Sequence, residues 1–270
     1  MSSGSTDPFS AERRRLRRAE VTIGAVNAPL DGKTVLVTGG GIRVGRAIAL
    51  ALGAAGADVA VHYRTSREGA ESTAGKIRTG GRRAMVVAGD LARPDDCRRI
   101  VRESIAALGG LDLLVHSAAN FHRASLADSD ENLWDSAMDV NARAGFLLAR
   151  EAAETLRERR GRIVFLSDFL AESPARNYVA HSVSKAAVEG LVRALAVELA
   201  PEVSVNGVTP GTVLPPEGTS AEEVERLARR VPAKRVGSAE DVAAAVVFLC
   251  SGPAFMTGQV IRVDGGRSIV

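Results

Sequence analysis

The 270-residue sequence contains few cysteines and no long apolar run. Cys97 and Cys250 are too few and too far apart to indicate a disulfide framework or a metal site. No stretch reaches the roughly eighteen continuous apolar residues of a membrane span, and the N-terminus lacks a hydrophobic signal core. The sequence therefore predicts a cytoplasmic protein without a metal ion and without a membrane partner.

The sequence also has little net charge outside one terminal segment. The formal net charge is +3, and five arginines lie within the first twenty residues. Residues 1–30 are predicted as a basic, flexible tail, with a targeting peptide as the alternative that Asp7 and Glu12 disfavour. The remainder is near neutral, so no nucleic-acid partner is predicted.

Apolar patterning from residue 31 onward predicts an α/β architecture, because short β-branched runs alternate with longer amphipathic segments. We predict a single Rossmann-type doubly wound domain over residues 31–270, with a seven-stranded parallel sheet between two helix layers. The predicted strands cover residues 34–39, 58–63, 83–89, 111–118, 161–167, 203–208 and 258–265. The predicted helices cover residues 44–56, 67–79, 94–108, 131–159, 181–200 and 239–251.

Local signals mark several boundaries in this pattern. Pro94 stands where a first helical turn tolerates proline, and Ser238 with Asp241 has the spacing of a capping box. The segment 209–232 contains several prolines and glycines and is predicted as an irregular substrate lid.

A glycine-rich segment, "TGGGIRVG" (38–45), follows the first predicted strand and opens a helix. Glycines there allow a tight turn, close backbone approach to a pyrophosphate and close packing of the helix on the strand. The segment therefore predicts a dinucleotide site, with an ordinary strand-to-helix turn as the alternative.

The second predicted strand ends in "HYRTS" (62–66) and offers no acidic residue for a ribose 2′-hydroxyl. His62, Arg64 and Ser66 are predicted to supply a cation and hydrogen-bond donors, and Arg43 adds another cation. This set favours a 2′-phosphate, so NADPH/NADP is preferred to NAD; a solvated basic edge is the alternative.

The chain resembles the short-chain dehydrogenase/reductase family over residues 32–270. The resemblance rests on "TGGGIRVG", "GDL", "HSAAN", "DVNARAGF", "SDF", "HSVSK", "VNGVTPG" and "VDGG", in this order. It implies an oxidoreductase acting on a small-molecule substrate and assembled as a homotetramer, although burial within one subunit also explains the apolar helices. The cofactor-binding residues predicted from the loop and the resemblance are Gly39, Arg43, Val44, Gly45, His62, Tyr63, Arg64, Ser66, Asp90, Leu91, Ser117, Ala118, Lys185, Pro210 and Gly211.

Within the family the sequence is most similar to the pteridine reductases. Arg43 in the first loop, "HYR" at the end of strand two, Asp168 and Phe121 carry this similarity. The resemblance implies that Phe121 stacks on the substrate, and Tyr178 is the second predicted substrate contact. A core or lid position for Phe121 is the alternative.

The family's catalytic tyrosine is replaced by His181 in "HSVSK", while Lys185 and Asn141 are retained. Positions four apart on a helix share one face, and Asp168 ends a parallel strand at the same crevice. Asp168, His181 and Lys185 are therefore predicted catalytic residues, and the resemblance implies that Asn141 is a fourth. A carboxylate beside the imidazole favours its protonation and Lys185 opposes it, so Tyr178 stays open as an alternative acid.

Two further positions depart from the family. His116 and Ser117 stand where the family has paired asparagines, which predicts a looser link between the sheet and the nicotinamide loop.

Three functions are consistent with these residues. The favoured one is an NADPH-dependent reductase that transfers hydride to a C=N or C=O bond of a pterin-like or other cyclic substrate. The second is a ketoreductase for 3-oxoacyl or polyketide-type substrates. The third is a catalytically silent NADPH-binding scaffold.

Overall fold

The computed structural model describes residues 28–215 and 218–270. The predicted basic tail lies outside the described residues except for its last three positions, and Pro216 of the predicted lid lies outside them as well. No described helix combines the length and apolarity that crossing a membrane requires.

Seven parallel strands form one sheet, as predicted. The strands are β1 Thr34–Thr38, β2 Asp58–Tyr63, β3 Ala84–Ala88, β4 Leu113–His116, β5 Arg162–Leu166, β6 Ser204–Pro210 and β7 Val260–Val263. Their order across the sheet is β3-β2-β1-β4-β5-β6-β7. Buried strands of this kind are apolar on both faces, which explains their nearly continuous β-branched sequences.

Eight α-helices occur in the described ranges. They are α1 Arg43–Ala54, α2 Arg67–Thr79, α3 Pro94–Leu108, α4 Glu131–Met138, α5 Ala144–Glu158, α6 Val179–Glu198, α7 Ala221–Arg229 and α8 Ala239–Ser251. Helices α1, α2 and α8 pack on one face of the sheet, and α3, α5 and α6 pack on the other. The predicted doubly wound architecture with two helix layers is confirmed.

The single helix predicted over 131–159 is wrong in one respect. A π-helical turn, Asp139–Arg143, separates α4 from α5. The apolar pattern continues through the turn, so hydrophobic periodicity does not reveal the inserted residue.

The segment 209–232 is less irregular than predicted. Strand β6 extends to Pro210, and α7 occupies Ala221–Arg229 with the Ser220 side chain as its N-cap. Helix α7 buries no residue, although its sequence is strongly amphipathic. The surrounding prolines and glycines concealed it.

Other local predictions are confirmed. Pro94 begins α3, and Ser238 and Asp241 form a reciprocal capping box at α8.

Cys97 and Cys250 are free and buried. Burial raises the pKa of Cys97 to about 11 and that of Cys250 to about 12, so both remain thiols at neutral pH.

Candidate active site

Strands β1 and β4 are neighbours in the sheet, but the chain leaves their carboxyl ends in opposite directions along it. Such a switch point opens a crevice in parallel α/β sheets. A cavity of about 330 Å³ lies there. It is lined by twelve of the predicted cofactor residues: Gly39, Arg43, Val44, Gly45, His62, Tyr63, Arg64, Ser66, Asp90, Leu91, Ser117 and Ala118. Lys185, Pro210 and Gly211 do not line it.

The glycine-rich loop leaves no room for side chains at two positions. A Cβ on Gly45 would lie 2.2 Å from the carbonyl oxygen of Gly39. A Cβ on Gly41 would lie 2.9 Å from the backbone nitrogen of Ala70 in α2. Only glycine therefore lets the loop pack this closely against α1 and α2.

The N-terminus of α1 is open toward the cavity. Its N-cap residue, Ile42, provides no side-chain hydrogen bond, and its first turn contains no acidic residue. The first backbone N–H groups of a helix lack intrahelical partners and carry the positive end of the helix dipole. This end of the cavity is therefore suited to a phosphate group.

Two arginines border the cavity in different ways. Arg64 is exposed and forms no salt bridge within the described part of the chain, so its charge is available at the end of β2. The Arg43 guanidinium instead donates to the backbone carbonyl of Leu214, and so connects the glycine-rich loop with the predicted lid.

Within the predicted set of His62, Arg64 and Ser66, His62 does not supply the cation. Its ring is buried, and Nδ1 accepts a hydrogen bond from the Gly39 N–H at 3.2 Å. Its Nε2 lies 3.1 Å from the carbonyl oxygen of Gly89, to which it donates. Burial lowers the pKa of His62 to about 4, so the imidazole is neutral at physiological pH.

The loosening predicted at His116 and Ser117 is not observed. The His116 Nδ1 lies 3.0 Å from Thr38 Oγ1, and its Nε2 lies 3.2 Å and 3.3 Å from the carbonyl oxygens of Val140 and Asn141. The histidine side chain is longer than the asparagine that the family has at this position, and it connects β1 with the π-helical turn.

Asn141 lies in the π-helical turn and is fully buried. Its Oδ1 accepts from the Asn120 N–H at 2.7 Å, and its Nδ2 donates to the Asn120 carbonyl at 3.1 Å and to Ser184 Oγ at 2.9 Å. Asn141 therefore fixes the segment after β4 against α6.

His181 is buried in the first turn of α6, at 2% exposure. Its Nδ1 lies 3.2 Å from the Asn120 carbonyl oxygen, which requires a proton on Nδ1. Its Nε2 lies 3.5 Å from Asp168 Oδ2 and has no hydrogen-bond partner. The separation and direction fall short of a hydrogen bond, so the two groups are in electrostatic contact only.

Lys185 is buried one turn after His181. Its Nζ donates to the Leu166 carbonyl at 2.7 Å. Burial lowers the pKa of Lys185 to about 8, and the nearby charge of Asp168 partly opposes this shift. The charge of Asp168 therefore favours the ammonium form of Lys185.

Three rings form one side of the site. Phe121 meets the His181 ring edge to face at 4.6 Å between centroids, and it lies 5.1 Å from the Tyr178 ring. Phe121 is 56% exposed, although it covers the imidazole. Tyr178 is the N-cap residue of α6.

Sequence reasoning missed two residues of this site. The Asn120 backbone binds both Asn141 and His181, and Ser184 Oγ accepts from Asn141 while donating to the His181 carbonyl at 2.7 Å. A main-chain contact leaves no sequence signal. Ser184 could have been found from its helical spacing of three from His181.

Known proteins resemble this chain over most of its length. A family model described as enoyl-(acyl carrier protein) reductase matches residues 41–268. The 3-oxoacyl-[acyl-carrier-protein] reductase of Staphylococcus aureus is 35% identical over 242 residues, covering 87% of this chain and 97% of that protein.

Two solved structures share the fold and moderate sequence identity. A short chain dehydrogenase from Burkholderia cenocepacia, solved in complex with NADP, is 38% identical with a TM-score of 0.83, over 88% of this chain and 99% of its own. An angucycline C-6 ketoreductase with bound NADP is 31% identical with a TM-score of 0.84, over 90% of this chain and 98% of its own. The chain belongs to the short-chain dehydrogenase/reductase family.

Proposed function

We propose that this protein is an NADPH-dependent reductase that acts on a C=O or C=N bond of a cyclic substrate. The observation that carries the proposal is the Asp168–His181 contact. His181 Nε2 is the one ring nitrogen of a buried histidine, among the described residues, that has no hydrogen-bond partner, and it lies 3.5 Å from Asp168. A free, buried ring nitrogen beside a carboxylate is equipped to exchange a proton.

NADPH fits the cavity on structural grounds. The open N-terminus of α1 and the tight glycine loop suit the phosphates, and Arg64 with Ser66 suits the 2′-phosphate. The relatives solved with NADP support the same assignment. Lys185, Pro210 and Gly211 are proposed to complete the site at its nicotinamide end.

When bound, NADPH supplies a hydride, so the protein has to supply one proton to the substrate oxygen or nitrogen. We assign this proton to the Asp168–His181 pair. The Asp168 side chain is 24% exposed and His181 is covered, so a single proton passes from His181 Nε2 through the Asp168 carboxyl to the substrate atom. The transfer leaves a carboxylate on Asp168 and a neutral Nδ1–H imidazole on His181. Asn141 keeps the Asn120 carbonyl, and therefore the His181 ring, in place.

We propose that His181 takes the position of the family's catalytic tyrosine; its spacing of four residues from Lys185 supports this. Tyr178 is the competing donor. It lies against Phe121 rather than against Asp168 in the described contacts, which disfavours it.

The aromatic wall of Phe121 and Tyr178 supports a planar, cyclic substrate. A pterin-like ring is the first candidate, on the combination of Arg43, Asp168 and Phe121. A ketone of the 3-oxoacyl or polyketide type is the second candidate, and the names of the relatives favour it.

Assembly and location are part of the proposal. Phe146 and Val183 are exposed apolar residues on α5 and α6, and they support a homotetramer that covers them. Free, buried thiols at Cys97 and Cys250 agree with a cytoplasmic location.

The test is steady-state NADPH oxidation with dihydropterins, cyclic ketones and an acetoacetyl thioester. We expect turnover of at least one cyclic substrate, and a loss of about 10²- to 10⁴-fold in kcat for His181→Phe with NADPH affinity retained. Tyr178→Phe is the matched control and is expected to keep most of the activity. Substantial activity in His181→Phe would transfer the role to Tyr178. NADPH binding without any turnover, followed by gain of activity in His181→Tyr, would establish the scaffold instead.

A further inference from the structure

Two buried histidines take no part in the proposed proton transfer. His62 lies near the end of β2 and His116 ends β4, and these strands flank β1 on either side. Both rings are almost inaccessible to solvent, at 2% and 1% exposure. Polar rings at such depth require partners for both nitrogens, and each ring has them.

The His62 ring joins two loops of the cavity. Its Nδ1 accepts from the Gly39 N–H at 3.2 Å, so the ring proton is on Nε2, which donates to the Gly89 carbonyl at 3.1 Å. Gly39 belongs to the glycine-rich loop, and Gly89 immediately precedes the cavity-lining Asp90. The neutral Nε2–H form satisfies both partners, whereas a protonated ring would place a hydrogen on Nδ1 directly against the hydrogen of the Gly39 N–H.

The His116 ring makes the corresponding connection on the opposite side. Its Nε2 faces the carbonyls of Val140 and Asn141, so the ring proton is on Nε2 and Nδ1 accepts from Thr38 Oγ1 at 3.0 Å. Thr38 Oγ1 in turn accepts from the N–H groups of Ser117 and Ala118, at 3.0 Å and 3.1 Å. The hydroxyl thus uses its single donor and both acceptor sites.

We propose that His62 and His116 are positioning residues that hold the Thr38–Gly39 turn from both sides in the conformation that receives the cofactor phosphates. Each ring also bonds a second segment. His62 connects the Thr38–Gly39 turn to the loop that carries Asp90, and His116 connects it to the π-helical turn that carries Asn141. The inference rests on the proposed NADPH binding. It adds two residues that contact the glycine-rich loop and do not contact the reacting atoms.

The two rings have separable effects. The chain of bonds through His62 ends at Gly89, away from the Asp168–His181 pair, so its loss weakens NADPH binding and leaves kcat at saturating NADPH nearly unchanged. The chain through His116 ends at the backbone of Asn141, whose side chain holds Asn120. Its loss weakens NADPH binding and lowers kcat as well.

The experiment titrates NADPH fluorescence with the full-length protein and its variants. In His62→Leu and His116→Leu we expect NADPH affinity to fall about tenfold or more, because one hydrogen bond to the turn is lost and its donor is left unpaired. His62→Gln retains an acceptor and a donor and is expected to stay within about threefold of the unmodified protein. Val59→Ala, a fully buried position on β2 away from the turn, is the matched control: it lowers the melting temperature and leaves NADPH affinity unchanged.

The outcomes separate this inference from the proposed function. Unchanged NADPH affinity in folded leucine variants overturns the inference alone. No NADPH binding by the unmodified protein overturns the proposed function and the inference with it.

A second measurement, made on the unmodified protein, tests the inference if the leucine variants fail to fold. In the unmodified protein with ¹⁵N-labelled histidine, NMR at pH 7 is expected to show His62 and His116 as neutral Nε2–H tautomers, with Nδ1 accepting a hydrogen bond before and after NADPH addition. A protonated ring, or an Nδ1–H tautomer at either position, overturns the inference.

Discussion

At the scale of single residues, the role of a buried histidine depends on how many of its ring nitrogens have a hydrogen-bond partner. His62 and His116 are bonded at both nitrogens and are held neutral by burial. His181 is equally buried, but its Nε2 has no hydrogen-bond partner. In this protein the two rings with both nitrogens bonded to the backbone or to Thr38 hold the fold together, and the ring with one free nitrogen is the one placed to exchange a proton.

Lys185 gives a prediction at this scale. Burial lowers its pKa to about 8 and Asp168 partly opposes the shift, so raising the pH through 8 converts the ammonium to an amine. We expect NADPH to bind more weakly above pH 8, because the proposed nicotinamide end of the site loses its cation. In Asp168→Asn the supporting charge is gone, and the midpoint of this loss is expected about one pH unit lower.

The measurement is the NADPH dissociation constant from pH 6.5 to 9.5, which does not depend on turnover. Arg64→Gln serves as the control, since it weakens binding at every pH without moving the midpoint. Equal midpoints in the unmodified protein and Asp168→Asn would show that Asp168 does not act on Lys185.

The sequence predicted those site residues whose position follows from regular structure. His181 and Lys185 share a helix face, and Asp168 follows β5, so their approach could be predicted from spacing. The Asn120 backbone and the neutral state of His62 could not, because both depend on which groups surround them after folding.

At the scale of elements, helix caps give a prediction with an internal control. Ser238 caps α8, whose Val242, Val246 and Leu249 are buried in the core, while Ser220 caps α7, which buries nothing. We expect Ser238→Ala to lower the free energy of unfolding by about 1 kcal/mol, since an N-cap bond is lost in a helix that unfolds with the core. Ser220→Ala loses a similar bond but should leave global unfolding unchanged.

Urea unfolding followed by circular dichroism compares the two variants. An equal loss of stability in both would mean that α7 unfolds together with the domain, contrary to its lack of buried residues.

The elements that sequence reasoning placed correctly are those that pack on the sheet. The apolar residues of α1 and α3 create a periodic signal, and those of α8 form a nearly continuous apolar run. The π-helical turn at Asp139–Arg143 and the exposed α7 were missed for different reasons. The first preserves the apolar pattern while changing the hydrogen bonding. The second has an amphipathic pattern, but it lies among prolines and glycines that indicated an irregular segment.

At the scale of the whole molecule, strand order determines where the site lies. Because β4 is the central strand and β1 is its neighbour, the loops after both strands meet at one crevice. The rings of His62 and His116 reach the carboxyl end of β1 from opposite sides. The alternation of strands and helices was sufficient to predict this edge of the sheet. It was not sufficient to predict which polar groups would be buried beneath it.

Those buried rings also link stability to pH. Burial lowers the pKa of His62 and of His116 to about 4, with Asp96 and Asp90 opposing and Arg99 reinforcing the shift at His62, and Lys185 reinforcing it at His116. Between about pH 6.5 and pH 4 the unfolded chain therefore binds more protons than the folded one, and stability falls as the pH falls. Asp58 and Asp112 also contribute stability, which is lost only below this window. Burial raises the pKa of each carboxyl, but hydrogen bonds from Arg83 to Asp58 and from Lys33 to Asp112 outweigh it and keep both pKa values below 3.8.

We therefore expect the free energy of unfolding to decrease by about 3 kcal/mol for each ring between pH 7 and pH 4, a large part of a typical domain's stability. Urea unfolding at half-unit steps of pH measures this slope. In His62→Gln one of the two titrating rings is absent, so the slope should fall to about half, even if the variant is less stable at pH 7. A slope equal to that of the unmodified protein would mean that folding does not lower the pKa of His62, contrary to its burial and to the hydrogen bond that its Nδ1 accepts from Gly39.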